Sequence, residues 1–200
     1  MDATPKTQSA RALARQHPAD LAHFEQVART AEWLFHALSP LHGLGDRELE
    51  LLYCAALIHD IGLSVSVSGH HRHSLTLILE SGLPAFSEEE RLIVANICRY
   101  HRKALPSEKH EPFRALSREA RVLVRRLAAL LRIADGLDRA HENAVSSLEA
   151  SETSPGVWTL RIDGPGDLTF AAWGASRKAD LSREAYGVDI RIEPMTRRRG

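Results

Sequence analysis

The sequence has no apolar run of about 18 residues, the length that a membrane-spanning helix requires. Its first 20 residues mix charged and polar side chains and contain no apolar core of a secretory signal. Neither sign of charge is in excess, since 26 Lys and Arg balance 26 Asp and Glu, so no general attraction to nucleic acid or an anionic membrane is expected. These absences predict a soluble, cytoplasmic protein whose partners include no membrane and no nucleic acid.

Cysteine is scarce as well. The only two, Cys54 and Cys98, each lie in an apolar helical run, where a free thiol behaves as a small hydrophobic side chain. Histidine, in contrast, is abundant, with 11 copies in 200 residues. Because imidazole is the commonest ligand of transition metals in proteins, the sequence directs attention to which histidines converge.

Apolar residues at helical spacing predict five helices. They cover residues 20–38, 46–58, 71–80, 87–101 and 117–135. The fold class is therefore mainly α, a helical bundle over residues 20–150, preceded by a flexible N-terminal arm at residues 1–19.

The pattern changes after residue 150. Alternating side chains predict strands at residues 157–163, 168–173 and 188–193, and residues 180–186 predict a short helix. Residues 151–200 are thus expected to form a small strand-containing α+β extension that ends in a solvated basic tail, Arg197 to Arg199.

The pair His59-Asp60 stands where the second helix ends, so the chain can turn and direct both side chains at one cation. Four further helices each supply one residue of a metal-ligand type: His23, His73, His101 and Asp135. Each histidine also has an ordinary structural explanation as a buried or capping side chain. Asp135 is harder to explain, since a carboxylate near a helix C-terminus calls for a compensating cation, either Arg139 or a metal.

The order of these residues resembles the HD superfamily of metal-dependent phosphohydrolases. The stretches AALIHDIGLSVSVSGHHRHS, CRYHRKALP and LLRIADGLDRAH are closest to the C-terminal HD-type domain of the exopolyphosphatase/guanosine pentaphosphate phosphatase (Ppx/GppA) family, over about residues 20–150. Nothing in the sequence resembles that family's N-terminal actin-like ATPase-fold domains, which carry its polyphosphatase site. That activity is therefore not expected here.

The resemblance implies a site for one or two divalent ions. His23, His59, Asp60 and Asp135 would hold one ion, and His73 with His101 would extend the site to a second. His70 and His71 compete with His73 for the same role, and His73 is preferred because it opens a helical run. Oxygen and imidazole ligands without thiolate suit Mn²⁺, Fe²⁺, Mg²⁺, Co²⁺ or Ni²⁺.

Neighbouring side chains are candidates for binding phosphate: His70, His71, Arg102, Lys103, Arg139 and His141. Asp60, Arg102 and Arg139 are the candidate catalytic residues. Many catalytic HD enzymes carry a lysine two residues after the Asp-Ile pair, where this sequence has Leu63. This departure argues against cleavage of cyclic dinucleotides.

Two functions follow from the resemblance. The first is a divalent-metal-dependent phosphohydrolase that acts on a nucleotide or related phosphate ester. The alternative is a non-catalytic regulatory module that binds a phosphorylated ligand, such as a guanosine polyphosphate or polyphosphate, or that mediates dimerisation. A homodimer is left open, because no heptad stripe requires one.

Overall fold

A computed structural model describes residues 3–18 and 20–195. The helices are α1 (Pro5–Gln16), α2 (Leu21–Ala37), α3 (Ser39–His42), α4 (Asp46–Ile58), α5 (His70–Glu80), α6 (Glu88–Arg99), α7 (Glu111–Arg114), α8 (Arg118–Leu137), α9 (Thr169–Ser176) and α10 (Ser182–Tyr186). The strands are β1 (Ser147–Ser154), β2 (Val157–Asp163) and β3 (Asp189–Pro194). A mainly α fold with a small strand-containing C-terminal part is confirmed.

The five predicted helices correspond to α2, α4, α5, α6 and α8. Three of them begin where a polar side chain accepts a hydrogen bond from the first helical turn, at Asp20, Ser87 and Ser117. Helix α2 packs against α4 and α8, and α6 packs against α4, α5 and α8. The ends of these helices therefore meet around one core.

The prediction of a loose arm is wrong for most of residues 1–19, because Pro5–Gln16 is a helix. Thr4 and Thr7 cap it reciprocally, and Pro5 occupies its first turn. The helix packs against α4. Its buried stripe is short and contains one large apolar side chain, Leu13, so hydrophobic periodicity alone does not reveal the helix. The buried residues are Thr7, Ala10, Leu13 and Ala14.

The C-terminal segment, residues 147–194, differs from its prediction in two places. Strands β2 and β3 form as expected, but of residues 168–173, predicted as a strand, all except the first belong to helix α9. A short apolar run does not distinguish the two periods, and packing of α9 against α8 selects the helix. Strand β1 was missed, since its polar sequence SLEASETS lacks apolar alternation. The predicted basic tail, Arg197 to Arg199, lies outside the described residues.

The sheet has the order β1-β2-β3, with β1 antiparallel and β3 parallel to β2. The parallel connection runs through α9 and α10, which places these helices beside α8. Among the described residues, no helix has the length and apolar character needed to cross a membrane. Both cysteines are buried thiols, as predicted, and burial raises the pKa of Cys54 to about 12.

Candidate metal centre and the pocket beside it

The His59-Asp60 pair lies where helix α4 ends. His59 keeps a helical backbone, whereas Asp60 leaves it with φ −112° and ψ 13°. This change of direction brings His59 Nε2 to 3.7 Å from Asp60 Oδ2, although adjacent residues of a regular helix diverge by about 100°. The end of the helix thus directs an imidazole nitrogen and a carboxylate oxygen to one place.

Two overlapping groups of side chains have the spacing of metal ligands. The first is His23, His59 and Asp60, and the second is Asp60, His70 and His101; all of them are buried. His70 Nε2 and His101 Nε2 lie 3.1 and 3.2 Å from Asp60 Oδ1. Asp60 belongs to both groups, with one oxygen toward each.

Three of these histidines are oriented by the backbone immediately before them. The Nδ1 atoms of His59, His70 and His101 lie 2.8, 3.0 and 2.7 Å from the carbonyl oxygens three residues earlier in the chain. A carbonyl can only accept, so each Nδ1 donates its proton. In the neutral ring, Nε2 then keeps its lone pair and faces the centre of the cluster.

His23 is oriented by a distant carboxylate instead. Its Nδ1 lies 2.7 Å from Asp138 Oδ2, and Asp138 Oδ1 accepts a hydrogen bond from the Asn143 amide at 2.8 Å. His141 stacks on the His23 ring, with centroids 3.8 Å apart, and lies 2.9 Å from Asp20 Oδ2. Helix α2 is thereby tied to the end of α8 at the cluster.

The electrostatics of the cluster fit a cation. Among the described residues, His23 Nε2, His59 Nε2 and Asp60 Oδ1 are buried without a hydrogen-bond partner. Burial lowers the pKa of His59 to about 4, so its imidazole is neutral near pH 7. Burial alone would raise the pKa of Asp60, but His59 and His101 outweigh it and hold that pKa well below the usual range. Lone pairs therefore converge on a carboxylate, which suits a divalent ion.

The structure brings His70, and not the preferred His73, into the cluster. Helix α5 buries His70, His71 and Ser74, while His73 is half-buried and belongs to neither group of ligands. Close packing of Gly62 on α5 fixes this orientation, because a Cβ on Gly62 would lie 2.1 Å from the His70 carbonyl oxygen. His71 is also buried, but it belongs to neither group of ligands.

Asp135 lies at the edge of both groups. Its Oδ1 is 3.7 Å from His23 Nε2 and 3.9 Å from His59 Nε2, and its Oδ2 is 4.0 Å from His101 Nε2. Its compensating cation is Lys178, whose Nζ contacts Oδ2 directly, and not Arg139. Burial alone would raise the pKa of Asp135, but Lys178, His101 and His59 outweigh it and lower that pKa below the normal range.

An open pocket of about 590 Å³ adjoins the cluster and contains Asp60, His101 and Asp135 in its wall. Positive side chains predominate in the rest of that wall: Arg102, Lys103, Arg132, Arg139, Arg177 and Lys178. A cavity of similar size beside α1 has no titratable side chain in its wall. The balanced total charge of the chain therefore conceals a local positive site, which suits a phosphorylated ligand.

Four of the six predicted phosphate-binding residues line this pocket, whereas the buried His70 and His71 do not. Arg102 Nη1 donates to His70 Nε2 at 3.0 Å, and Lys103 is exposed with a left-handed backbone, φ 58°. His141 is in the same wall and also has φ 58°. The Arg139 guanidinium lies 5.5 Å from the Trp173 ring centroid, so the ring positions it.

Sequence reasoning missed four contributors: Arg132, Asp138, Arg177 and Lys178. Asp138 could have been found, because it follows Asp135 by three residues and caps the C-terminal end of α8. Arg177 and Lys178 gave no such signal, since their approach depends on α9 being a helix that packs on α8.

The fold and the site together define a mainly α domain that collects histidines and aspartates in its core. Residues 6–164 match the family model described as Ppx/GppA phosphatase, domain III. The chain belongs to this family, and the resemblance drawn from its motifs is confirmed.

Two similar proteins are both named guanosine-5'-triphosphate,3'-diphosphate pyrophosphatase. The one from Pseudoalteromonas translucida is 33% identical over 85 residues, which are 42% of this chain and 17% of that protein. The one from Aeromonas hydrophila is 28% identical over 134 residues, which are 66% of this chain and 26% of that protein. The chain thus corresponds to about a quarter or less of these relatives.

Proposed function

We propose that the chain is a divalent-metal-dependent phosphohydrolase that acts on a nucleotide or a related phosphate ester. The observation that carries the proposal is the buried cluster of unpartnered Nε2 and carboxylate atoms, which opens into a pocket with a positive wall. The names of the two relatives point to the same class of substrate. A cytoplasmic location is part of the proposal.

His23, His59 and Asp60 would hold one ion, with Asp135 beside them, and His70 with His101 would extend the site to a second. The two ions would share Asp60, because it belongs to both groups. Bound divalent ions lower the pKa of water and neutralise phosphate oxygens, and Mn²⁺, Fe²⁺, Mg²⁺, Co²⁺ and Ni²⁺ all accept this ligand set.

The chain's own cations would hold the phosphate groups. Arg102, Arg139 and Arg177 can each form paired hydrogen bonds to phosphate oxygens, whereas Lys103 and Lys178 act as compact charges. Arg102 lies nearest the second group of ligands, so it is the candidate to stabilise charge on the reacting phosphate. Asp138 positions His23 and takes no direct part.

The experiment starts from protein purified without chelator, whose metal content is measured by elemental analysis. Hydrolysis of phosphomonoesters, phosphodiesters and a nucleotide panel is then assayed with each of the five ions. We expect His59→Ala and Asp60→Asn each to lower kcat/KM by at least about a thousandfold. His36→Ala, at an exposed histidine, is the matched control.

Turnover that is independent of metal, or full activity in either ligand variant, would contradict the proposal. A second candidate function is binding of a phosphorylated ligand without turnover. It is favoured by the contacts of Arg102 with His70 and of Lys178 with Asp135, which satisfy two ligands by internal cations. Thermal stabilisation by a nucleotide with no hydrolysis under any of the five ions would select this function.

A further inference from the structure

The contact between Lys178 and Asp135 places a protein ammonium group at the candidate metal centre. Asp135 is buried in the helical core, whereas Lys178 follows α9 in the C-terminal segment, 43 residues later. The Lys178 side chain keeps 15% of its surface exposed and lies in the wall of the pocket. The ammonium group is therefore at the boundary between the cluster and the pocket.

The chain holds Lys178 there by close packing of α8 on α9. A Cβ on Gly136 would lie 2.6 Å from Ala175 Cα, and one on Gly174 would lie 2.5 Å from the Gly136 carbonyl oxygen. The two helices therefore meet backbone against backbone, only one residue after Asp135 in α8. Nothing larger than glycine fits at either position without moving α9.

A second contact fixes the backbone just after Lys178. The buried Arg132 binds both carboxylate oxygens of Asp180, at 2.9 and 3.0 Å, and its Nε also lies 3.3 Å from the Lys178 carbonyl oxygen. Its Nη1 donates to the Tyr100 carbonyl oxygen at 2.9 Å. The backbone of Lys178 is thus anchored, while its four-carbon side chain can still rotate between the cluster and the pocket.

We propose that Lys178 is a displaceable internal cation of the metal centre. In the metal-free protein it neutralises Asp135, which would otherwise be a buried charge without a cation of the protein in contact. An ammonium group has no lone pair, so it cannot coordinate a metal ion. The ammonium group of Lys178 and a divalent ion therefore compete for the same carboxylate oxygen of Asp135. When the ion binds, Lys178 turns toward the pocket and binds a phosphate oxygen.

The release of Lys178 does not depend on catalysis, but its role toward phosphate rests on the proposed function. The displacement model predicts that metal and phosphate change the exposure of the Lys178 amine in opposite directions. Metal binding frees and exposes the ammonium group, and phosphate then covers it again.

Labelling of the full chain with acetic anhydride, quantified by peptide mass spectrometry, measures this exposure. Chelator-treated protein is compared with Mn²⁺-loaded protein and with Mn²⁺-loaded protein in inorganic phosphate. We expect labelling of Lys178 to rise at least about fivefold with Mn²⁺ and to fall again with phosphate. Lys109, an exposed lysine outside the pocket, is the internal control.

Calorimetric titration with Mn²⁺ gives a second, independent readout. Lys178→Gln should bind Mn²⁺ about tenfold more tightly than the wild-type protein, whereas Lys109→Gln should not differ from it. Lys178→Arg keeps the positive charge, so its affinity for Mn²⁺ should stay near that of the wild-type protein. This variant separates the loss of charge from any folding defect of Lys178→Gln.

The outcomes separate the two proposals. If wild-type protein binds Mn²⁺ but labelling of Lys178 stays constant, the displacement is refuted while the metal site stands. Labelling that rises with Mn²⁺ and does not fall with phosphate would refute the phosphate role of Lys178. Failure of all five ions to bind would overturn the metal centre and the displacement together.

Discussion

The two walls of the pocket differ in the side chains that they supply. The helical core provides imidazoles and carboxylates from the ends of α4, α6 and α8 and the start of α5. The C-terminal segment provides Arg177 and Lys178, which carry positive charge to the same place. The candidate metal ligands thus come from the helical core alone, whereas the phosphate-binding groups come from both regions.

The two regions also differ in how their side chains are held. His59, His70 and His101 are fixed by carbonyls of their own local backbone, so their orientation is built into each helix end. Lys178 reaches Asp135 only because α9 packs on α8. We therefore expect metal affinity to reside in the core, and ligand affinity to depend on the docking of the C-terminal segment.

The largest expected effect tests which histidine of α5 belongs to the core site. His70→Ala should weaken Mn²⁺ binding by at least about a hundredfold, because it removes an Nε2 atom 3.1 Å from Asp60 Oδ1. His73→Ala removes a half-buried histidine of the same helix that belongs to neither group of ligands; it is the matched control and should change the affinity less than about twofold. Calorimetric titration measures both. A larger loss of Mn²⁺ affinity in His73→Ala than in His70→Ala would instead identify His73 as the ligand.

An intermediate effect should come from separating the two regions. Gly136→Ala places a Cβ 2.6 Å from Ala175 Cα, so we expect a loss of about 1–3 kcal/mol in the free energy of unfolding and weaker phosphate binding. Mn²⁺ affinity should not fall, because a displaced α9 withdraws the competing Lys178 from Asp135. Gly45→Ala is the matched control, since its Cβ would meet only Glu48 Oε2 at 3.6 Å. Denaturant unfolding and calorimetry test this. A loss of metal affinity as large as that of phosphate affinity would show that the core is not independent.

The smallest expected effect is a pH dependence of the core. Burial lowers the pKa of His71 to about 3, whereas an unfolded histidine titrates near 6.5. Below about pH 6.5 the unfolded chain binds more protons at this residue, so its contribution to stability falls as the pH falls toward 3. His59 acts in the same direction, with its pKa at about 4, and His23 acts in the opposite one, because Asp138 and Asp135 outweigh burial and raise its pKa.

Melting temperatures of chelator-treated protein between pH 7 and pH 4.5 measure this dependence. We expect His71→Asn to reduce the fall in melting temperature by a few degrees, on the order of 5 °C. His36→Asn, at an exposed histidine, is the control and should follow the wild-type curve. Identical curves for His71→Asn and wild-type protein would refute the assignment of the effect to His71.

Much of the helical core could be predicted from the sequence, because its helices carry long apolar stripes and clear N-caps. The pair His59-Asp60 could also be identified from the sequence, because Gly62 follows it and marks the end of α4. The choice between His70 and His73 was not, because the two lie within one helical turn. Tertiary packing of α5, including the close approach of Gly62, decides which of them enters the cluster.

The C-terminal segment was predictable in outline only. Residues 168–173 carry an apolar run too short to fix its period, and tertiary packing on α8 decides that it is helical. Because that packing brings Lys178 to Asp135, the missed helix also hid the cation that compensates this carboxylate. Helix α1 was not predicted, because its buried stripe is short and contains only one large apolar side chain.

The hydrogen bonds from three imidazoles to carbonyls three residues earlier have a consequence for folding and for protein design. The partner of each ring is only three residues away, so the alignment of the ring depends on its own turn and not on the docking of distant helices. We therefore expect that a turn of this kind, moved to another protein, would still direct its Nε2 atom in the same way. Two of them placed at facing helix ends, with one carboxylate between, should suffice to create a cation-binding centre in an unrelated helical scaffold.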